Sequence, residues 1–325
     1  MTQIPMLTQR VTDQRAWMPD RLRPEDWTVR LDAPALAELR AVLAEFRRSP
    51  VPLTLLDPAD FSLDACRTTM ARVERVTREG PMFAVLDRLP MNEMNGEEAT
   101  ALYWVLAGLL ARPVAQKFNG QMFFDVRDTG AKLKPGSGIR PTVTNVDLRF
   151  HNDNSYNETP PDYVCLLCLQ TAKSGGVSQV VSVYTVHTAL AEHHPDLLAR
   201  LYRPFWYDRH AEHLPDEPNT FAAPVFAYNG ELKARLALSE IYAGYELRGE
   251  RMDNETTAAL AAIRAVFDRP ELRIELDFQP GQIQFVNNLL TGHARTEFED
   301  YPEPERKRHL VRLWLRRSGK RGYRG

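Results

Sequence analysis

The chain is poor in the features that would place it in a specialised class. Three cysteines in 325 residues cannot build a disulfide scaffold, so a reducing cytoplasm is the default setting. Cys165 and Cys168 form a C-x-x-C inside the apolar run from Tyr163 to Leu169. Residues i and i+3 face opposite sides of a strand, so both are read as core residues and not as a redox pair. The longest apolar run, Ala101 to Ala111, is far short of a membrane span. Residues Met1 to Arg10 lack the basic start and apolar stretch of a secretion signal. A formal net charge of -2 gives no electrostatic reason to expect nucleic acid or an anionic membrane as partner. No Gly/Ser linker, charge block or internal repeat divides the chain, which reads as a single domain over 1–325. Only the end is basic (Arg316, Arg317, Lys320, Arg321, Arg324), and residues 318–325 are expected to form a solvated tail.

What is present is an ordinary globular composition, 43% hydrophobic and 26% charged, with enough apolar residues to bury a core. The first 117 residues read as a mixed, largely helical part. Ala33 to Arg48 carries Asp32 as cap and Leu36, Leu39, Leu43 and Phe46 at helical spacing, and further helices are predicted over 63–79 and 97–110, with a strand over 83–89 between them. From Gln121 the texture changes to short strands and turns, at 121–126, 143–150, 163–170 and 177–184. A helix over 186–202, broken or restarted at Pro195, is followed by strands at 205–209 and 220–228. An Asn229-Gly230 turn then leads to a strand at 232–238. A helix at 253–267 and strands at 272–278, 283–287 and 309–315 complete the reading.

Chemistry concentrates in Arg149-Phe150-His151-Asn152-Asp153-Asn154-Ser155-Tyr156. On a strand, residues i and i+2 share a face, so the His151 imidazole and the Asp153 carboxylate could reach one ion. Two histidines and one carboxylate with an open side form the facial triad of non-haem Fe(II) oxygenases. A His-x-acid triplet alone is weak, because three occur here: His151/Asp153, His194/Asp196 and His210/Glu212. His194 and Asp196 fall on a helix, where residues two apart diverge by about 200° and cannot chelate. His210 and Glu212 sit between an aromatic segment and a Pro-rich loop, a surface or pocket-rim position. His151 and Asp153 alone gain a remote partner, His293, which follows the 283–287 strand.

These residues, with their surroundings, resemble the TauD/TfdA-like family of Fe(II)/2-oxoglutarate-dependent dioxygenases. The resemblance is carried by 150–156, Pro160-Pro161, Gly175-Gly176-Val177-Ser178, 281–288, His293-Ala294-Arg295-Thr296 and Arg308-His309-Leu310-Val311-Arg312, in the family's order. It implies a mainly β fold with flanking helices, a cupin-like jelly roll (double-stranded β-helix) over 118–317. It implies His151, Asp153 and His293 as ligands of Fe(II), with 2-oxoglutarate and O2 as cosubstrates. Ser178 and Arg308 then hold the far carboxylate of 2-oxoglutarate; a register slip of two residues would give that post to Arg306. Arginine suits it because a guanidinium pairs with a carboxylate bidentately.

The strand pattern adds support, since Arg308, Leu310, Arg312, Trp314 and Arg316 share one face and His309, Val311, Leu313 and Leu315 the other. Arg312 lies on the order of 13 Å beyond Arg308 along that strand. It is expected either to hold an anionic group on the substrate, as in relatives, or to pair with a protein carboxylate. Asn154 and Tyr156 are further substrate-binding candidates, with pocket walls drawn from 154–158, 132–141 and 206–226. The activity implied is oxidation of an unactivated C–H bond of a small molecule with release of succinate and CO2. Hydroxylation is favoured over halogenation because Asp153 is present. A cupin-like metal enzyme that does not use 2-oxoglutarate and a non-catalytic binding protein on the same fold are the alternatives. The partner expected is a small-molecule substrate, not nucleic acid or a membrane, and a homo-oligomer stays open.

Overall fold

A computed structural model describes residues 4–132 and 141–324. Two antiparallel sheets face each other. The larger has the strand order Thr28–Arg30, Phe83–Asp87, Ile283–Asn287, Tyr163–Gln170, His309–Arg316 and Arg112–Val114, with Phe124–Val126 also paired to His309–Arg316. Only its first two strands run parallel. The smaller has the order Arg273–Leu276, Ser178–Ser182, Thr291–Arg295 and Leu148–His151. The core between them comes from inward residues of both sheets, among them Val164, Leu310 and Trp314 from one and Val180 and Ile274 from the other. This is the jelly-roll arrangement expected.

Period-two alternation assigns every strand two jobs. Along Tyr163–Gln170, Tyr163, Cys165 and Leu167 face outward to a layer of helices, while Val164 and Cys168 face the inter-sheet core. Cys165 and Cys168 are therefore on opposite faces, free and buried, as the spacing predicts. Along His309–Arg316, Val311, Leu313 and Leu315 join the helical side while Leu310 and Trp314 point inward. The outer layer on the large sheet is Ala33–Arg48, Asp64–Glu79 and Gly96–Leu110. Asp32 caps the first, accepting from Ala35 N, and Asn95 and Glu98 form a capping box on the third. A second layer (Val183–His193, Pro195–Leu201, Asn254–Phe267) covers the small sheet.

Four expectations are corrected. The strand expected over 83–89 is present as Phe83–Asp87, but 28–30 and 112–114 are strands of the same large sheet as well, so the sheet begins well before residue 118. The expected strand over 220–228 is split into Thr220–Ala223 and Phe226–Tyr228, flanking Pro224, which has no N–H to give a ladder. The expected strand over 232–238 stops at Ala234, and Leu238–Leu247 is a helix. Gly244 lets that helix lie on the Phe205–Asp208 strand, since a Cβ there would come within 2.4 Å of the Trp206 carbonyl oxygen. The basic end is not a free tail. Arg316 donates to the carbonyls of Gly322 and Tyr323, and Ala115 N donates to Arg321 O, so the last residues are strapped across the sheet with Tyr323 buried.

Candidate active site

The strand leading to the site is shorter than expected, Leu148–His151, with a 3-10 turn at Pro141–Val143 where the strand was to begin. His151 is its last residue and Asp153 lies beyond it, so the two do not share a strand face. A turn delivers the carboxylate instead, with Asn154 in the left-handed region at φ 53°. Asn152 and Asn288 lock that turn. Asn152 Nδ2 donates to the carbonyls of Asn288 (2.6 Å) and Thr291 (2.7 Å). Asn288 Oδ1 accepts from Asp153 N at 2.8 Å, and its Nδ2 donates to Asp153 O at 2.9 Å.

His293, on the Thr291–Arg295 strand, is the direct cross-strand partner of His151. Their rings lie 4.3 Å apart between centroids. Asp153 Oδ1 sits 3.4 Å from His151 Nε2 and 3.5 Å from His293 Nε2. His151 Nδ1 is 2.9 Å from Arg149 O, a bond it can make only as donor, which leaves Nε2 a lone pair for a cation. Among the described residues this trio is the group of His, Cys, Asp or Glu side chains placed to hold a metal ion. Its chemistry, two imidazoles and a carboxylate, fits Fe(II).

The other carboxylate oxygen is held by the protein. Asp153 Oδ2 accepts from Trp314 Nε1 at 2.7 Å and pairs with Arg312 Nη1 at 3.0 Å. Burial alone would push the Asp153 carboxyl up. The Arg312 charge and the two imidazoles overcome it, holding Asp153 well below the usual carboxylate range. Burial, together with the neighbouring His151, pulls His293 down and keeps it neutral as a ligand must be.

Of the two roles expected for Arg312, the structure places it against a protein carboxylate, with its Nε bonded to Gln116 Oε1 at 2.8 Å. Asn154 is not among the described residues that line the pocket. Its Oδ1 accepts from Asn157 Nδ2 (2.9 Å) and the Tyr323 hydroxyl (2.8 Å), so it holds its loop together. Tyr156 is packed edge-on against His210 in the core over the small sheet, and His210 bonds Glu240 at 2.9 Å. In this structure both make contacts within the wall. Of the expected walls, residues 133–140 lie outside the described residues.

Ser178 and Arg308 line the same pocket as the His/Asp trio. Arg308 is buried, its Nη1 has no hydrogen-bond partner among the described residues, and burial pulls the guanidinium down to about 10. Gly176 makes room for it: a Cβ at that position would lie 2.9 Å from Arg308 Nε. Arg306 ends a 3-10 turn at the surface, stacked on Tyr301 and within 3.5 Å of Glu303. Of the two arginines, Arg308 is the one that lines the pocket. Sequence reasoning missed Trp314, Gln116, Asn152 and Asn288. Trp314 was within reach, since it alternates on one face with Arg308 and Arg312.

Fold and site together define an oxygenase that uses non-haem iron and 2-oxoglutarate. Residues 52–314 match the family described as taurine catabolism dioxygenase TauD, TfdA family, and the chain belongs to that family. It is 28% identical over 319 residues to FR-33289 synthase of Streptomyces rubellomurinus (strain ATCC 31215), covering 96% of this chain and 92% of that one. Asparagine oxygenase, solved in complex with Fe(II), 2S,3S-3-hydroxyasparagine and succinate, superposes at a TM-score of 0.65 with 22% identity, over 89% of this chain and 93% of that one. The non-haem iron oxygenase OrfP, solved with Fe, succinate and (3S)-hydroxy-L-Arg, gives a TM-score of 0.65 with 14% identity, over 90% of this chain and 94% of that one.

Proposed function

We propose that this protein hydroxylates an unactivated C–H bond of an amino acid derivative or a comparable small anionic metabolite, with His151, Asp153 and His293 holding Fe(II). The observation that carries the reading is a single pocket joining the Nε2, Nε2 and Oδ1 trio to a buried guanidinium with an unpaired N–H group. Iron bound there would supply the redox chemistry by which O2 is consumed, one oxygen atom passing to succinate as 2-oxoglutarate loses CO2 and the other to the substrate C–H bond. The chain's own residues do the rest. Arg308 and Ser178 bind the far carboxylate of the cosubstrate and so orient its 2-oxoacid end toward the metal ligands. Trp314 and Arg312 turn the Asp153 carboxylate so that Oδ1 faces the imidazoles. Val164, Leu166 and Leu310 line the pocket with apolar surface that excludes water.

The substrate class rests on likeness to proteins crystallised with hydroxylated asparagine and arginine. Three buried free thiols suit a reducing, cytoplasmic setting. A succinate-release screen over amino acids, their conjugates, sulfonates and carboxylates tests the proposal. The expected result is succinate formation stimulated by one chemical group of compounds, with mass spectrometry showing a product heavier by one oxygen. Turnover of a substrate without 2-oxoglutarate would favour instead a cupin-like enzyme independent of that cosubstrate.

A further inference from the structure

Arg308 is not the only unsatisfied guanidinium in the pocket. Arg295 follows the metal ligand His293 by two residues on the same strand, so its side chain leaves on the same inward face. Its cross-strand partner is Ser178. Arg295 is 6% exposed, and its Nε and Nη1 have no hydrogen-bond partner among the described residues. Only Nη2 is used, donating to the carbonyls of Thr144 and Val146. The guanidinium carbons of Arg295 and Arg308 lie 4.7 and 5.1 Å from the centroid of the same ring, Phe298.

Two buried cations about one ring repel each other. Such a pair is costly unless an anion joins it. Among the described residues no carboxylate forms an ion pair with either arginine, although Asp300 Oδ2 is itself buried without a hydrogen-bond partner. Among the described residues lining the pocket the one carboxylate, Asp153, is already matched by Arg312. The three arginines of the pocket thus divide into one paired at the metal end and two unpaired at the Ser178 end.

We propose that Arg295 is a second guanidinium for the far carboxylate of the 2-oxoacid cosubstrate, gripping it together with Arg308 and the Ser178 hydroxyl. This rests on the reading of the site as a 2-oxoglutarate oxygenase. The selectivity it implies is for a dianion: loss of the far carboxylate leaves two buried charges unmatched, not one.

The test is equilibrium binding to the Fe(II)-loaded protein under anaerobic conditions, with two probes, 2-oxoglutarate and oxalate. Oxalate offers a chelating end and no far carboxylate. In Arg295→Gln, 2-oxoglutarate should bind about tenfold more weakly or worse, while oxalate and Fe(II) bind as in the unsubstituted protein. Equal losses for both probes would show that Arg295 only secures the Thr144–Val146 segment and would overturn the proposal. Unchanged 2-oxoglutarate binding would overturn it too. Failure of the unsubstituted protein to bind 2-oxoglutarate at all, with Fe(II) bound, would sink the reading of the site beneath it, a distinguishable outcome.

Discussion

At the scale of single residues, the site depends on dividing one carboxylate between two tasks. Asp153 Oδ1 faces the imidazoles while Oδ2 is fixed by an indole N–H and a guanidinium. A carboxylate free to rotate would offer the metal a mixture of orientations. Trp314→Phe keeps the ring stacking and removes the hydrogen bond. A bond to a charged acceptor contributes about 1.5 kcal/mol, so Fe(II) affinity should fall roughly tenfold with the fold intact. Anaerobic metal titration beside a circular-dichroism spectrum measures it. Unchanged affinity would mean that Arg312 alone orients the carboxylate. The ligands themselves were legible in sequence because His151 and Asp153 stand in a family pattern with His293. The face of Trp314 was readable too, but not its bond to Asp153, because the two lie 161 residues apart and a contact between distant segments leaves no local spacing to read.

At the scale of elements, the helix Val183–His193 closes the outer face of the small sheet with His187 buried in it. His187 Nε2 meets the Tyr202 hydroxyl at 2.8 Å, and burial pulls the imidazole down to about 4. A histidine depressed in the folded state stays neutral there while the unfolded chain takes up a proton below about 6.5. Its stabilisation is therefore complete above pH 6.5 and is lost as the pH falls toward 4. The full loss across that window is about 3 kcal/mol. Denaturant unfolding at pH 7.5 and pH 5 should show a drop that is smaller in His187→Gln, which cannot titrate. Equal drops in both proteins would remove His187 from the acid response. Elements with a strong local signal, such as the capped helix at Ala33–Arg48, were readable from sequence. Leu238–Leu247 was not: its alternating Leu-Ala-Leu entry looks like a strand, and what makes it a helix is docking through Gly244 on a strand 30 residues earlier.

At the scale of the whole molecule, the two ends of the chain close the structure around the site. N-terminal strands extend the large sheet, and the C-terminal residues return to the loop that carries Asp153. Tyr323 packs on Phe118 and Trp314 and bonds both Asn154 and Asn157. Charge composition suggested a solvated tail because it counts arginines and misses the single buried aromatic among them. Tyr323→Ala should cost about 3 kcal/mol of unfolding free energy, the range for a large buried side chain. A truly solvated residue would change it by less than about 0.5 kcal/mol. Denaturant midpoints decide between the two.

The proposed centre of the molecule is iron held by His151, Asp153 and His293 with 2-oxoglutarate beside it. Its most direct test is an anaerobic optical titration of the protein with Fe(II) and 2-oxoglutarate. A weak visible charge-transfer band should grow to one equivalent of metal and require both additions. It should be lost, for the most part, in Asp153→Ala and in His293→Ala while both variants stay folded. A band of full intensity in either folded variant would contradict the assignment of the site.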